Sequence, residues 1–122
     1  MFEYQKNILL CSQDPLLTKG LYGPLRDSGY QVETSEHTAE AVKCVLDRLY
    51  LAVILDSRDV GLNVTEAATI IKDLNPEVFI IIIGGYGYGS GGDFSIVKSP
   101  EDVDQLVDVI NTLSTLKREK QA

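Results

Sequence analysis

The sequence has few of the residues on which most enzyme chemistry depends. It contains one histidine, His37, and two cysteines, Cys11 and Cys44. His37 precedes a predicted helix and has no matching cysteine, serine or acidic partner, so no Ser-His-Asp or metal-ligand set is visible and no metal site is expected. The cysteines form no disulfide framework and no CxxC spacing, so we interpret them as reduced, buried thiols. The chain is therefore predicted not to be an enzyme. His37 is predicted to be exposed to solvent or to cap the helix that follows it.

Positive charge and long apolar runs are also scarce. Eleven lysines and arginines stand against eighteen aspartates and glutamates, giving a formal net charge of -7. This balance argues against nucleic acid as a direct partner, because phosphate backbones are bound by excess lysine and arginine, and against an anionic membrane surface. No segment approaches the roughly 18 apolar residues of a membrane span, and residues 1–6 lack the features of a secretory leader. A cytoplasmic protein is expected.

The apolar residues instead form short runs that are typical of strands. One domain is expected over residues 1–122, with a core from 7 to 116 and a polar, frayed tail or linker start at 117–122. The central run, 51–56, has five apolar residues followed by Asp56, which is typical of a strand buried on both faces of a parallel sheet. Other strands are predicted at 7–11, 30–33, 78–83 and 94–97.

Helical patterns separate most of these strands. Pro15 opens a stretch with leucines four residues apart, although Pro24 is expected to kink that helix or end it early. Thr38 is the predicted N-cap of a second, amphipathic helix, and Asn63 with Glu66 matches a capping box for a third. A last helix is predicted after residue 99. This alternation predicts an α/β fold, with a parallel sheet inside a three-layer αβα domain. The helical spacing assigns the following residues to buried helix faces: Leu17, Leu21, Leu25, Ala41, Val42, Val45, Leu46, Leu49, Val64, Ala67, Ala68, Ile71 and Leu74.

The stretch 84–92 breaks the alternation, because six of its nine residues are glycine and glycine is unfavourable in helices. Residues 87–92 formally fit GxGxxG, but that fingerprint requires the loop to open a helix, and here a strand follows. Binding of a small ligand or nucleotide by residues 84–92 is therefore the weakest hypothesis. Tyr86 and Tyr88 are predicted to anchor a partner, since tyrosine is enriched at protein interfaces.

From Asn7 to about Leu116 the chain resembles a bacterial response-regulator receiver domain. The resemblance implies a flavodoxin-like fold with a five-stranded parallel sheet in the order 2-1-3-4-5. It also implies a helix between the fourth and fifth strands, which here is shortened or replaced by the glycine-rich loop. The matching residues are Ile8 to Cys11 with Pro15 behind them, Val53 to Asp56 followed by Gly61, and Lys98 after the fifth strand.

The resemblance implies roles for individual residues, and some of these residues have changed. Asp56 matches the family's phosphoacceptor, and Lys98 matches the lysine that balances its charge. Ser12 and Gln13 stand where an acidic pair would hold Mg²⁺, and Gly84 stands where a serine or threonine would contact the phosphoryl group. Magnesium is usually held by one or two carboxylates together with phosphate, so Mg²⁺ binding is expected to be weak or absent and no cofactor is expected.

These changes favour a degenerate receiver, which would be a signalling and protein-interaction module without Mg²⁺-dependent phosphorylation. Loss of the fourth helix should expose apolar surface at 80–83 or on the last helix, unless another chain or the Tyr86/Tyr88 loop covers it. A partner protein, or a second copy in a homodimer, is expected at the edge formed by the fourth and fifth strands and the last helix. The alternative is a divergent working receiver, phosphorylated on Asp56 by a histidine kinase.

Overall fold

The computed structural model describes residues 6–56, 64–83, 94–97 and 103–121. Within these ranges strands and helices alternate up to the fourth strand. The strands are β1 (Asn7–Cys11), β2 (Gln31–Ser35), β3 (Ala52–Asp56), β4 (Phe79–Ile83) and β5 (Phe94–Val97). The helices are α1 (Pro15–Asp27), α2 (Thr38–Asp47), α3 (Val64–Leu74) and α4 (Val103–Gln121).

The five strands form one parallel sheet in the order β2-β1-β3-β4-β5. This confirms the predicted flavodoxin-like order and the three-layer arrangement. Successive residues of a strand point to opposite faces, so each strand contributes to two cores. One core lies against α1 and α4 and includes Leu10, Ile54, Leu21 and Ile110. The other lies against α2 and α3 and includes Leu9, Val53, Val45 and Ile71.

Pro24 was expected to kink α1 or to end it early, and it does not end the helix. The helix continues through Pro24 to Asp27, because Leu21 and Leu25 are both buried against the sheet on either side of the proline. Tertiary packing of an apolar face outweighs local helix propensity here. Gly29 follows the C-cap with φ 98°, a left-handed conformation that glycine adopts without steric cost.

Other predicted boundaries differ from the observed ones by a few residues. His37, not Thr38, is the N-cap residue of α2, and Thr38 is buried. β2 extends to Ser35 because the Ser35 carbonyl accepts a hydrogen bond from the Ser12 amide at 3.0 Å, which continues the ladder with β1. The segment 117–121, predicted as a polar tail, continues α4 to Gln121. The predicted capping box at Asn63 lies outside the described residues.

The helix layer covers the sheet differently from the prediction. Leu46, Leu49 and Leu74 were assigned to buried helix faces but are 63%, 52% and 42% exposed. Small residues such as Ala41 and Ala67 pack against the sheet instead, and Leu49 lies beyond the end of α2. Loss of the fourth helix was expected to expose apolar surface at 80–83 or on the last helix unless something covered it, and the isoleucines 80–83 are all buried. They lie within the two cores, Ile81 and Ile83 with Leu106 and Ile110 of α4, and Ile80 and Ile82 with residues of α2 and α3.

Tyr50 fixes the connection between α2 and β3. Its side chain is fully buried, and its hydroxyl donates a hydrogen bond to Oε2 of Glu33 on β2 at 2.8 Å. Arg48 forms an ion pair with the other oxygen of the same carboxylate. Burial, followed by the hydrogen bond to Glu33, raises the pKa of Tyr50 far above its ordinary value. The Tyr50 hydroxyl therefore stays protonated in the folded protein.

This arrangement predicts an alkaline loss of stability that depends on Tyr50. In the unfolded chain the phenol ionises near its ordinary pKa of about 10, whereas in the folded chain it stays neutral. The stabilisation is therefore complete below about pH 10 and is lost as the pH rises further, by about 1 kcal/mol at pH 11. Urea unfolding of the wild type and Tyr50→Phe at both pH values measures this. An equal alkaline loss in the two proteins would show that Tyr50 is not responsible.

Candidate functional site at the carboxyl edge of the sheet

The strands are parallel, so their carboxyl ends meet at one edge of the sheet, where ligands of open α/β folds bind. Asp56 is the last residue of β3 and pairs in register with Ile83 of β4. Ile83 in turn pairs with Val97 of β5. The Asp56 side chain is 1% exposed. A carboxylate buried to this degree requires hydrogen-bond donors close to its oxygens.

Ser12 supplies one of these donors. It follows the last residue of β1, is itself buried, and its Oγ donates to Oδ2 of Asp56 at 2.8 Å. The same Oγ accepts a hydrogen bond from the backbone N–H of Asp14 at 3.0 Å. The backbone bond from the Ser12 amide to Ser35 holds the residue in place. The hydroxyl is therefore oriented with its proton towards the Asp56 carboxylate.

Gln13 and Asp14 are directed away from Asp56. The Gln13 amide nitrogen lies 3.0 Å from Nδ1 of His37 and can only donate, so Nδ1 is the acceptor. The His37 side chain makes no capping bond to α2 and is exposed, which agrees with the solvent-exposed alternative of the two roles predicted for it. Asp14 is the N-cap of α1, and its Oδ1 accepts from the amides of Leu16 and Leu17. Asp14 thus satisfies helix donors that would otherwise lack partners.

The described residues around Asp56 are a poor match for magnesium. Among the described residues, no group of three or more histidine, cysteine, aspartate or glutamate side chains is placed to hold a metal ion. Ser12 offers a hydroxyl already bonded to Asp56, and Asp14 is engaged at the start of α1. Mg²⁺ is a hard cation that takes carboxylate, phosphate and water oxygens in near-octahedral geometry. A single carboxylate with a neutral hydroxyl is a poor match for it.

Four of the residues predicted from sequence lie outside the described ranges. They are Gly84, which follows Ile83 directly, Lys98, which follows Val97 directly, and the pair Tyr86 and Tyr88. The roles predicted for them stay predictions. Gly84 is the position that lacks the family's hydroxyl, Lys98 is the charge partner of Asp56, and Tyr86 and Tyr88 belong to the interaction loop. The GxGxxG pattern at 87–92 also lies outside the described ranges, so ligand binding by this loop stays a hypothesis.

Sequence reasoning missed several contacts around the site. It identified Ser12 as the replacement for an acidic residue but not as a donor to Asp56. It did not connect Gln13 to His37, which are 24 positions apart. Tyr30 also links two layers, since its hydroxyl donates to Oδ1 of Asn111 on α4 at 2.7 Å. These contacts join distant segments, so no local pattern signals them.

The two cysteines have no part in the site. Cys11 is buried at the end of β1, and Cys44 is partly buried on α2 and so less buried than expected. Their reduced state stays a prediction. Within the described part of the chain, no helix is long and apolar enough to span a membrane.

No family model matches the sequence, and no curated protein matches it. Solved structures do match. A response regulator receiver protein of Sinorhizobium medicae superposes with a TM-score of 0.79 at 21% identity, over 89% of this chain and 94% of that one. A two component transcriptional regulator of Clostridium phytofermentans gives 0.80 at 19%, over 95% and 98%. The response regulator TrrA of Thermotoga maritima gives 0.77 at 29%, over 88% and 98%.

The chain therefore has the fold of response-regulator receiver domains. The resemblance predicted from Asp56 and the β1 and β3 motifs is confirmed at the level of the fold. Asp56, which the sequence resemblance matches to the family's phosphoacceptor, is buried at the end of β3. Ser12, which the resemblance places where an acidic residue would stand, donates to that carboxylate.

Proposed function

We propose that this receiver domain is a signalling and protein-interaction module that works without Mg²⁺-dependent phosphorylation of Asp56. The observation that carries the proposal is the hydrogen bond from Ser12 Oγ to Asp56 Oδ2 at 2.8 Å. A neutral hydroxyl therefore contacts one oxygen of the carboxylate, at a position where the resemblance implies an acidic residue. No described carboxylate besides Asp56 is positioned to replace the missing acidic pair, since Asp14 caps α1.

The chemistry of phosphoryl transfer supports this reading. A phosphoryl group moving to a carboxylate places several negative charges together, and enzymes and receivers stabilise them with metal ions and cationic side chains. Ser12 contributes a dipole instead of the two charges of an acidic pair holding Mg²⁺. Lys98 would be the remaining cation, and one lysine replaces a divalent ion poorly. Asp56 in this site is suited to a fixed structural role.

Protein partners are the remaining route for signalling. Among structural neighbours, TrrA is described in complex with the histidine kinase ThkA, with 26% identity to this chain and a TM-score of 0.74. The NtrC4 receiver domain is described as a beryllofluoride-activated dimer, with 19% identity and a TM-score of 0.70. We place the corresponding partner, or a second copy of this chain, at the β4–β5 edge and α4, with Tyr86 and Tyr88 as anchors.

A working receiver is the second candidate, and one observation favours it. TrrA, at 29% identity, is described in complex with Mg²⁺ and beryllofluoride, and Asp56 occupies the end of β3 in this chain. On this alternative a histidine kinase phosphorylates Asp56 with unusual metal use. The two candidate functions predict different responses of the residues at the carboxyl ends of the strands to Mg²⁺ and a phosphoryl analogue.

Backbone amide NMR spectra with Mg²⁺ alone, and then with Mg²⁺ and beryllofluoride, distinguish them. We expect no shifts around Asp56, Ile83 and Val97 at millimolar Mg²⁺, because the donor set lacks the acidic pair. The matched comparison is Ser12→Asp/Gln13→Asp, which restores that pair. This variant is expected to gain Mg²⁺-dependent shifts at the same residues, since two carboxylates then join Asp56.

Spectra of Asp56→Asn variants distinguish the non-phosphorylated module from the working receiver. Asp56→Asn in the restored variant should abolish the gained shifts, which ties them to this carboxylate. Wild-type shifts that spread from Asp56 to Ile83 and Val97 with beryllofluoride, and that vanish in Asp56→Asn, would overturn the proposal and establish the working receiver.

A further inference from the structure

β2 lies at one end of the sheet, next to β1 alone. The Ser35 carbonyl bonds to the Ser12 amide of β1, so Ser35, and by alternation Glu33, direct their backbone groups towards β1. Val32 and Thr34 therefore present their N–H and C=O groups at the open side of the strand. In the described ranges no strand pairs with that side. Such an edge is a template for an additional strand.

A groove runs along this edge between β2 and α1. One cleft, of about 590 Å³, lies beside the carboxyl half of β2 and is lined by Thr34, Lys19 and Tyr22 among others. A second, of about 510 Å³, lies beside the amino half and is lined by Val32, Arg26 and again Tyr22. Tyr22 lines both clefts, and between them they are lined by Gln31, Val32, Thr34 and Ser35 of β2. Binding sites for extended peptides have this combination of strand edge and adjacent helix.

Two glycines of α1 are not needed by the fold itself. A Cβ added at Gly20 or Gly23 would meet no heavy atom within 4 Å, so neither glycine is required for internal packing. Each costs the helix about 1 kcal/mol relative to alanine. Gly23 lines the larger cleft, and the absence of a side chain there leaves room for another chain in the groove.

The charge of the groove differs from that of the protein. Its charged lining residues are Lys19, Arg26 and Glu36, two cations and one anion, or +1, whereas the whole chain carries -7. The Arg26 guanidinium lies 5.5 Å from the centroid of the Tyr22 ring, which favours a position of this cation beside Tyr22. Charge complementarity therefore favours an acidic occupant and disfavours a second copy of this acidic chain.

We propose that the β2 edge binds an extended, acidic peptide segment of a partner protein as a sixth strand. The peptide backbone pairs with Val32 and Thr34, and its side chains on the α1 side lie in the groove beside Tyr22. Acidic side chains of the peptide contact Lys19 and Arg26. This site is on the opposite edge of the sheet from the β4–β5 interface of the proposed function and does not depend on it.

The probe is a synthetic peptide of about eight residues, long enough for one strand, with glutamate and valine alternating on one face and threonine on the other. Titrated into the ¹⁵N-labelled full chain, it is expected to give saturable shifts at Val32 and Thr34, with their amides gaining protection from hydrogen exchange. Lys19→Glu/Arg26→Glu should weaken binding about tenfold or more, because two attractive contacts become repulsive. Thr34→Pro should also weaken it, since it removes an outward N–H without removing a bond to β1.

The matched control is Lys6→Glu/Lys43→Glu, which changes the net charge equally on exposed residues away from the groove. It should leave the affinity within about threefold of the wild type. Equal weakening by both double variants would show non-specific attraction and overturn the proposal, as would shifts confined to other surfaces or absent at millimolar peptide. Shifts of Val32 and Thr34 with protein concentration in the absence of peptide would assign the edge to a second copy instead.

Discussion

Replacing Tyr50 by alanine is expected to lower the free energy of unfolding by about 3–5 kcal/mol, the range for large aromatic side chains removed from a core. Tyr50 is fully buried among the residues beneath α2 and α3. The substitution removes its packing, leaves a cavity, and removes the hydroxyl that donates to Glu33. Urea unfolding at neutral pH measures the loss, and the slope of the transition shows whether two-state behaviour is kept.

Two variants calibrate this result. Tyr50→Phe keeps the ring and removes only the hydrogen bond, so a loss of about 1 kcal/mol is expected. Tyr22→Ala removes an aromatic side chain from the surface of α1, where it is 36% exposed, and should cost less than about 1.5 kcal/mol. If Tyr50→Ala were no more harmful than Tyr22→Ala, the α2–β3 connection would not depend on Tyr50 as described.

Replacing Ser12 by alanine is expected to cost about 2–3 kcal/mol, because its hydroxyl donates to a buried carboxylate and hydrogen bonds to charged groups are the stronger class. The matched control is Ser35→Ala, at the end of the neighbouring strand. Ser35 is also buried, and its Oγ donates to the uncharged carbonyl of His37 at 2.9 Å. It should cost about 1 kcal/mol.

A double-mutant cycle tests whether Ser12 acts through Asp56. In an Asp56→Asn background the carboxylate charge is gone, so Ser12→Ala should cost at least about 1 kcal/mol less than in the wild type. Urea unfolding of the four proteins gives the coupling free energy. Additive losses would mean that the 2.8 Å contact contributes nothing specific, and the role of Ser12 as the donor that stabilises the buried Asp56 carboxylate would fail.

The predictability of the site differs from residue to residue. Asp56 could be placed from sequence, since a carboxylate that ends a continuous apolar run is at the carboxyl edge of a buried strand. Ser12 could be aligned with it because β1 is also a continuous apolar run. The direction of the Ser12 hydroxyl could not be predicted, because it depends on the Asp14 amide and on the approach of β3 to β1. The contact of the Gln13 side chain with His37 likewise could not be predicted, because it depends on how two loops meet.

Errors in the helices have one physical origin. Helical periodicity assigns Leu46 and Leu74 to the buried side, but the width of the buried stripe is set by how closely the helix approaches the sheet. The alanines of α2 and α3 allow a close approach, so the flanking leucines remain exposed. Pro24 was judged by propensity alone, whereas Leu21 and Leu25 fix the helix on both sides of it.

By itself the sequence determined the α/β class, the number of strands and the position of Asp56, because periodicity and apolar runs are local properties of a chain. The order of the strands was implied only by the family resemblance. Only the tertiary structure decided which polar side chains meet. It joined Ser12 to Asp56, Tyr50 to Glu33, and α1 to the open edge of β2, since contacts between residues distant in sequence exist only once the strands are paired. The chemistry proposed for this protein depends on those contacts.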